Sequence, residues 1–274
     1  MTSPIIFTDL DGTLLDHDSY QWGEAKPALD LCKERHVPVI LVSSKTRAEM
    51  APLRAELGLT APFISENGGG IYFPKEGRLA PPPEVVLDEE LWKWALGVPY
   101  PRLVRALREI RDELRQPIRG FSDMTPEEIA ERTGLGIERS RLAAMREYDE
   151  PFVVPQEPMG VIERIREAAL RRGYQVSTGG RFHHLHGALD KGDSIQELVA
   201  LYKALEADVK TVGLGDSPND FSMLRAVDYP VLLGPPDRFP DLKRALPRLR
   251  LVENGGPRGW NEAVMDLFRK EGER

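Results

Sequence analysis

Two aspartates separated by one residue follow a short apolar segment near the start of the sequence. Residues 5–7 are typical of a strand buried on both faces, and Asp9, Asp11 and Gly12 come soon after them. Two carboxylates this close repel each other unless a cation lies between them or one takes a proton, and Mg²⁺ prefers such oxygen ligands. Beside that metal, Asp9 could attack phosphorus as a nucleophile while Asp11 exchanges protons. The alternative is an ordinary strand-ending turn, in which Asp and Gly are common.

Ser43 and Lys191 are the next candidates. Ser43 follows the apolar run 37–42, and carboxyl ends of neighbouring parallel strands meet at one edge, so we expect it beside Asp9. Its hydroxyl would hold a phosphoryl oxygen, although serines in this position often just cap the next helix. Lys191 opens a predicted helix, where a cation is disfavoured unless something negative compensates. We therefore interpret Lys191 as phosphate-binding rather than as a solvated surface lysine.

Asp216 and Asp220 form a second acidic pair after an apolar run. The run covers residues 209–214, and the residues between the two aspartates suit the cap and first turn of a helix. Asp216 would complete the oxygen shell of the metal. Asp220 would hold a metal-bound water or the Lys191 ammonium, although it also suits the helix dipole.

Apolar runs alternate with helical periodicities over residues 5–73 and again from residue 190. This order predicts an α/β fold with a doubly wound, Rossmann-like core and a parallel sheet. The proline-rich stretch 79–83 cannot continue a sheet interior, so we place a domain boundary there. Beyond it, amphipathic helices are segregated from short alternating strands, which predicts an α+β cap with an antiparallel sheet. The predicted core is residues 1–81 and 188–274, and the predicted cap is 82–187.

Composition narrows the class of protein. The chain has 274 residues, 41% of them hydrophobic, and a net charge of −7, which argues against nucleic acid or an anionic membrane as partner. It begins with no signal-type segment, has no run of 18 apolar residues, and has one cysteine, Cys32, which excludes an intrachain disulfide. We expect a cytoplasmic protein, and an anionic substrate would need a local cationic site.

These segments together resemble the haloacid dehalogenase superfamily of phosphohydrolases. An inserted cap and the turn Glu66-Asn67-Gly68 resemble its subgroup with a large α/β cap, which includes sugar-phosphate phosphatases and phosphomannomutases. The four motifs of the superfamily are matched by Asp9-Leu10-Asp11-Gly12-Thr13, Ser43, Lys191 and Gly215-Asp216-Ser217-Pro218-Asn219-Asp220.

The resemblance implies a role for each motif residue. Asp9 would be the nucleophile that forms an aspartyl phosphate, and Asp11 the general acid and base. Ser43 and Lys191 would hold the phosphoryl group. The cofactor implied is Mg²⁺, for which the candidate ligands are Asp9, Asp11 (through its backbone carbonyl), Asp216 and Asp220.

Candidate substrate contacts lie mostly in the cap. Arg181 can grip a carboxylate with two parallel hydrogen bonds. His183 and His184 fall on opposite faces of a predicted strand, which argues against a histidine metal cluster. Segments 146–152, 179–187 and 255–261 and the Ser43-Ser44-Lys45-Thr46 form of the second motif resemble a branch of the subgroup. The substrate-binding candidates are Ser44, Lys45, Glu66, Asn67, Gly68, Arg146, Tyr148, Gly180, Arg181 and His183.

That resemblance implies a small-molecule substrate, a phosphorylated glycosyl-glycerate, whose hydrolysis gives a compatible solute. The glycerate carboxylate would give Arg181 or Arg146 a partner. Three alternatives stay open: a phosphosugar mutase, a phosphatase for another sugar phosphate such as sucrose or trehalose phosphate, and a non-catalytic phosphosugar sensor. The sequence leaves the oligomeric state open, with a homodimer as one alternative.

Overall fold

The computed structural model describes residues 4–179, 181–235 and 238–272. In chain order the strands are β1 (Ile5–Thr8), β2 (Val39–Leu41), β3 (Phe63–Ser65), β4 (Gly70–Pro74), β5 (Val86–Asp88), β6 (Leu91–Ala95), β7 (Arg119–Gly120), β8 (Asp149–Val153), β9 (Gln175–Gly179), β10 (Phe182–His186), β11 (Thr211–Gly215), β12 (Tyr229–Leu233) and β13 (Arg250–Val252). The helices are α1 (Lys26–Glu34), α2 (Arg47–Glu56), α3 (Tyr100–Leu114), α4 (Pro126–Thr133), α5 (Ile137–Ala143), α6 (Val161–Leu170), α7 (Lys191–Leu205), α8 (Phe221–Ala226), α9 (Pro240–Ala245) and α10 (Gly256–Gly272).

The core sheet is parallel and has the strand order β13-β12-β11-β1-β2. Strand β1 lies between β11 and β2, and Ile6 pairs with both Val212 and Val39. Its residues are buried, because helices cover both faces of a sheet connected in this way. The predicted α/β fold with a parallel sheet is confirmed, and the loops after β1, β2 and β11 meet at one edge.

A separate antiparallel sheet, with the order β7-β8-β10-β9, forms the centre of the cap. One apolar cluster lies between this sheet and helices α3 and α6, and it includes Leu107, Ile165, Phe152 and Leu185. The cluster holds the cap together independently of the core, as expected for a separately packed α+β unit. The predicted antiparallel cap sheet is confirmed.

A third sheet joins the two ends of the proline-rich stretch. Its order is β3-β4-β6-β5, and a parallel bridge between Val42 and Ile64 links it to the edge of the core sheet. Trp92 and Trp94 of β6 pack against the core cluster. The sequence boundary at residue 82 stays a prediction. Because β5 and β6 pair back onto the core, we propose that the chain enters the cap only after β6.

Helix length and polarity bear on membrane association. None of the helices within the described residues combines the length and the apolar character needed to cross a bilayer.

Candidate active site

A cavity of about 370 Å³ lies between the carboxyl edge of the core sheet and the cap. The core supplies its floor and the cap supplies its opposite wall. The sequence-predicted residues that line it are Asp9, Asp11, Ser43, Ser44, Lys45, Arg146, Arg181 and Asp216. Segments that are far apart in the sequence therefore meet at one place, as the strand-end argument predicts.

Lys191 lies under the floor of this cavity at the first position of α7. Its Nζ donates hydrogen bonds of 2.7 Å to Asp9 Oδ1 and of 2.7 Å to Asp220 Oδ1, and the residue is 1% exposed. The side chain of Asp190 caps α7 by accepting from the backbone N–H groups of Gly192 and Asp193. Burial opposes the ammonium, but the two carboxylates outweigh it and raise the pKa of Lys191. Lys191 thus holds the nucleophile candidate in place instead of lining the cavity.

Asp220 connects this lysine to the loop after β11. Its Oδ2 accepts hydrogen bonds of 3.1 Å from each of the backbone N–H groups of Asp216 and Ser217. Both carboxylate oxygens of this fully buried residue are engaged, one by the loop and one by Lys191. Asp220 therefore orients the Asp216 loop.

The carboxylates of Asp9, Asp216 and Asp220 form an acidic cluster in which one oxygen of each lies within 4.8 Å of the others. Burial and then repulsion from Asp220 raise the pKa of Asp9 well above its ordinary value, and the same two causes raise the pKa of Asp216 to about 6. Three carboxylates meet here, and the cationic side chains beside them, one buried lysine and one largely exposed arginine, do not balance their charge. A divalent cation with oxygen ligands fits that deficit. Asp11 is not part of the cluster.

Gly12 makes close packing of the two acidic loops feasible. Its φ is +79°, and a Cβ at this position would lie 2.7 Å from Asp216 Oδ2. Glycine adopts this left-handed conformation without steric cost and leaves room for the carboxylate. The next residue, Thr13, donates a hydrogen bond of 3.3 Å to Asp216 Oδ1. The turn after β1 therefore helps to place Asp216.

Asp11 faces the cavity from beside Lys45. The Lys45 Nζ lies 2.7 Å from Asp11 Oδ2, while Asp11 Oδ1 is buried without a hydrogen-bond partner among the described residues. The ring of Tyr20 lies 5.0 Å from the Lys45 Nζ and also lines the cavity. Ser43 closes this side, and its Oγ accepts from the Lys45 N–H at 3.2 Å.

Three cap side chains face these groups. Arg146 donates a hydrogen bond of 2.7 Å to the backbone carbonyl of Ser44, which ties the cap to the core, and Arg181 donates one of 2.6 Å to that of Thr133. His184 also lines the cavity, and its Nδ1 is 3.0 Å from the Asp149 carboxylate. The candidate list drawn from sequence misses His184, although strand alternation had already separated it from His183.

Several predicted substrate-binding residues lie away from the cavity, so the geometry does not support direct contact for them. His183 lies on the opposite strand face, with its ring nitrogens 2.9 Å from Thr178 Oγ1 and 3.1 Å from Glu157. Tyr148 packs over the backbone of Gly69 and Gly97. The turn Glu66-Asn67-Gly68 lies at the core–cap junction. Gly180 lies outside the described residues.

Comparison with known proteins identifies the class. The family model of the haloacid dehalogenase-like hydrolases matches residues 6–80. Over 266 residues, 97% of each chain, this chain is 41% identical to a protein of Methanococcoides burtonii named glucosyl-3-phosphoglycerate/mannosyl-3-phosphoglycerate phosphatase. The chain belongs to the haloacid dehalogenase superfamily and is a phosphoric monoester hydrolase.

A second relative and a solved structure are also similar to this chain. A protein of Pyrococcus furiosus named mannosyl-3-phosphoglycerate phosphatase is 34% identical over 230 residues, covering 84% of this chain and 90% of that one. In fold, the chain resembles a haloacid dehalogenase-like hydrolase from Bacteroides thetaiotaomicron, with a TM-score of 0.68, 17% identity and coverage of 97% and 100%. The superfamily resemblance seen in the four motifs is confirmed.

Proposed function

We propose that this chain is a Mg²⁺-dependent phosphatase that hydrolyses mannosyl-3-phosphoglycerate to mannosylglycerate, a compatible solute, and phosphate. Its similarity to phosphatases named for this substrate supports the proposal. The structural observation that carries it is the cavity, in which acidic residues on the floor face the guanidinium groups of Arg146 and Arg181. The name of the first relative also includes the glucosyl ester, so we include that ester among the candidate substrates.

The reaction proceeds in two steps. Asp9 attacks phosphorus, so that a bond to its carboxylate forms as the bond to the glycerate oxygen breaks. Water then attacks the aspartyl phosphate, which releases phosphate and restores Asp9. Lys191 supports both steps by holding Asp9 Oδ1 at 2.7 Å. When bound, Mg²⁺ would be held by Asp9 and Asp216 and would supply charge neutralisation around the phosphoryl oxygens.

Asp11 acts as the general acid and general base. It protonates the leaving glycerate oxygen and then takes a proton from the attacking water. Support for this role comes from its Oδ1, which is buried and has no hydrogen-bond partner among the described residues. The Lys45 Nζ, 2.7 Å from Oδ2, fixes the orientation of the carboxylate.

Arg146 and Arg181 recognise the carboxylate of the glycerate group. Arg146 donates from Nε and from one terminal nitrogen to backbone carbonyls, and Arg181 donates from one terminal nitrogen. These bonds orient each guanidinium and leave other N–H groups of the fork for a ligand. Attraction to the Asp149 carboxylate raises the pKa of Arg146 despite its burial, so Arg146 keeps its charge. A sugar phosphate without a carboxylate would offer no anionic partner to these remaining N–H groups.

A substrate panel tests the proposal. Mannosyl- and glucosyl-3-phosphoglycerate, sucrose phosphate and trehalose phosphate are supplied at equal concentration, and free phosphate is measured. We expect the two glycerate esters to have kcat/KM values on the order of 100-fold higher, because only they bring a carboxylate that can pair with the free N–H groups of the two guanidinium forks. A preference for the neutral disaccharide phosphates would overturn the substrate assignment, and an isomerised sugar phosphate without net phosphate release would indicate a mutase.

Two controls separate catalysis from binding. Asp9→Asn should lose essentially all turnover while still binding the ester, because the amide is isosteric but a poor nucleophile. A parent protein that binds the ester without turnover would instead be a sensor. Chelation by EDTA should abolish activity until Mg²⁺ is restored, and activity that survives chelation would contradict the metal requirement.

A further inference from the structure

A continuous chain of side-chain hydrogen bonds crosses from the core to the cap. Asn219 Nδ2 donates to Asn67 Oδ1 at 2.9 Å, and Asn67 Nδ2 donates to Asp149 Oδ2 at 3.0 Å. The Asp149 carboxylate in turn accepts from His184 Nδ1 at 3.0 Å. Two of these residues belong to core loops and two to strands of the cap sheet, so the chain exists only when core and cap are together.

Both ends of this chain lie on the cavity. Asn219 lines the core side, in the turn between Asp216 and Asp220, and His184 lines the cap side. Asn67 and Asp149 do not line it and are 4% and 0% exposed. The two buried residues therefore join a loop of the acidic cluster to a cap group that would face the substrate.

The orientation of each group in the chain is fixed by its neighbours. Asn67 uses its amide oxygen toward Asn219 and its amide nitrogen toward Asp149, so exchanging the two atoms would break both bonds. Burial opposes the charge of Asp149, but His184 and Arg146 lower its pKa overall. The carboxylate therefore accepts from Nδ1 and leaves Nε2 as the ring nitrogen available to a ligand.

The backbone at Asn67 explains why an asparagine can occupy this place. Its φ is +57°, in the left-handed region that asparagine tolerates better than other side chains. The turn brings its short amide between Asn219 and the cap strand β8. A substitution that keeps the turn but removes the amide is therefore Asn67→Gly.

We propose that Asn67 is a positioning residue for His184. Through Asn67, the recognition of the non-phosphate part of the substrate by His184 depends on docking of the cap against the core. Asn67 aligns Asp149, Asp149 aligns the His184 ring, and the link to Asn219 sets this alignment relative to the floor of the cavity. The identity of the substrate, but not the hydrogen-bond chain, rests on the proposed function.

The test compares two substrates in each variant. The quantity measured is the ratio of kcat/KM for mannosyl-3-phosphoglycerate to kcat/KM for para-nitrophenyl phosphate, a small ester without sugar or carboxylate. A loss of folded enzyme lowers both values equally and leaves the ratio unchanged. We expect Asn67→Gly and His184→Ala each to lower the ratio about tenfold, mainly by raising KM for the sugar ester.

A double-mutant cycle shows whether Asn67 acts through His184. If it does, Asn67→Gly added to His184→Ala lowers the ratio less than twofold further, whereas independent effects would multiply to about 100-fold. Multiplying effects, or an unchanged ratio in Asn67→Gly, would overturn the proposal. Asn67→Asp is a second variant: it keeps the acceptor toward Asn219 but opposes Asp149 with an oxygen, so we expect a loss of at least the same size. A parent-like ratio in Asn67→Asp would also refute the proposal.

Arg47→Gln is the matched control. Arg47 bridges to the cap through Glu147 at 3.1 Å, at the same junction but outside the chain to His184. The ratio for Arg47→Gln should stay within twofold of that of the parent. A tenfold fall would show that any weakening of the contact between cap and core lowers the ratio, and it would contradict a specific role for Asn67. If the parent does not hydrolyse mannosyl-3-phosphoglycerate, the proposed function fails at that point, and the preferred ester of the panel replaces it in the ratio.

Discussion

Replacing Lys191 with methionine should destabilise the protein strongly. The residue is 1% exposed, and its Nζ lies 2.7 Å from Asp9 Oδ1 and from Asp220 Oδ1. Methionine fills much of the same volume but leaves two buried carboxylates without their cation. Removing one partner of a buried ion pair costs about 3–5 kcal/mol. At roughly 2–4 °C per kcal/mol for a chain of this size, the melting temperature should fall by about 6–20 °C.

The assay is thermal and urea unfolding at pH 7 in a buffer with EDTA, so that no divalent cation replaces the ammonium. Lys45→Met is the control, since Lys45 also pairs with an aspartate at 2.7 Å but in a more exposed place, with the two side chains 14% and 33% exposed. We expect that variant to lose only about 1–2 kcal/mol.

The decisive quantity is the difference in unfolding free energy between the two lysine variants. If the free energies of unfolding of Lys191→Met and Lys45→Met differ by less than about 1 kcal/mol, burial does not determine the cost of removing the ammonium. The reasoning about the buried cluster would then be wrong. If instead the added loss in Lys191→Met is largely recovered by also changing Asp220→Asn, the unpaired charge is its cause.

Two other perturbations address the junction between core and cap. Burial raises the pKa of Glu66 to about 8, so above its ordinary pKa the folded state holds a proton that the unfolded state has lost. Stability of the parent should therefore fall as pH rises from about 5 to 8, by up to about 1.4 kcal/mol per unit. Asp9 and Asp216 also have raised pKa values and contribute to the fall in both proteins, so Glu66→Gln should show a shallower slope in urea unfolding, most clearly between about pH 6 and 8. Equal slopes in parent and variant would contradict the assignment to Glu66. Gly69→Ala would place a Cβ 2.3 Å from Tyr148 Cβ and should lower the melting temperature by several degrees. Gly23→Ala should leave the melting temperature unchanged, because nothing lies within 4 Å of the added Cβ. Equal changes in the two variants would refute the packing argument.

Local sequence was sufficient for the positions of the motif residues. Asp9, Ser43 and Asp216 each follow an apolar strand, and parallel strands must place such residues at one edge. The alternation of strands and helices similarly fixed the parallel core and separated it from the cap. These inferences succeeded because they depend on chain order and on which faces are apolar, both of which can be read without knowing the partners.

The partners of the strands after the proline-rich stretch could not be assigned from local sequence. Prolines at 81–83 indicate that the chain leaves a sheet, but not that it returns. Strands β5 and β6 extend a sheet that began at β3, and their partner β4 precedes the prolines. Only the pairing of distant backbone segments determines which unit such strands join.

The roles of individual side chains were decided by the tertiary structure. Strand alternation separated His183 from His184, but only the packing of the cap sheet determines that His184 faces the cavity. Likewise, the turn at Asn67 is visible in the sequence, but its two hydrogen-bond partners come from positions 82 and 152 residues away. The sequence by itself determined which chemical groups reach the edge of the core sheet. Packing of cap on core determined which of them face a ligand and which only hold others in place, because hydrogen-bond geometry depends on contacts that chain order does not specify.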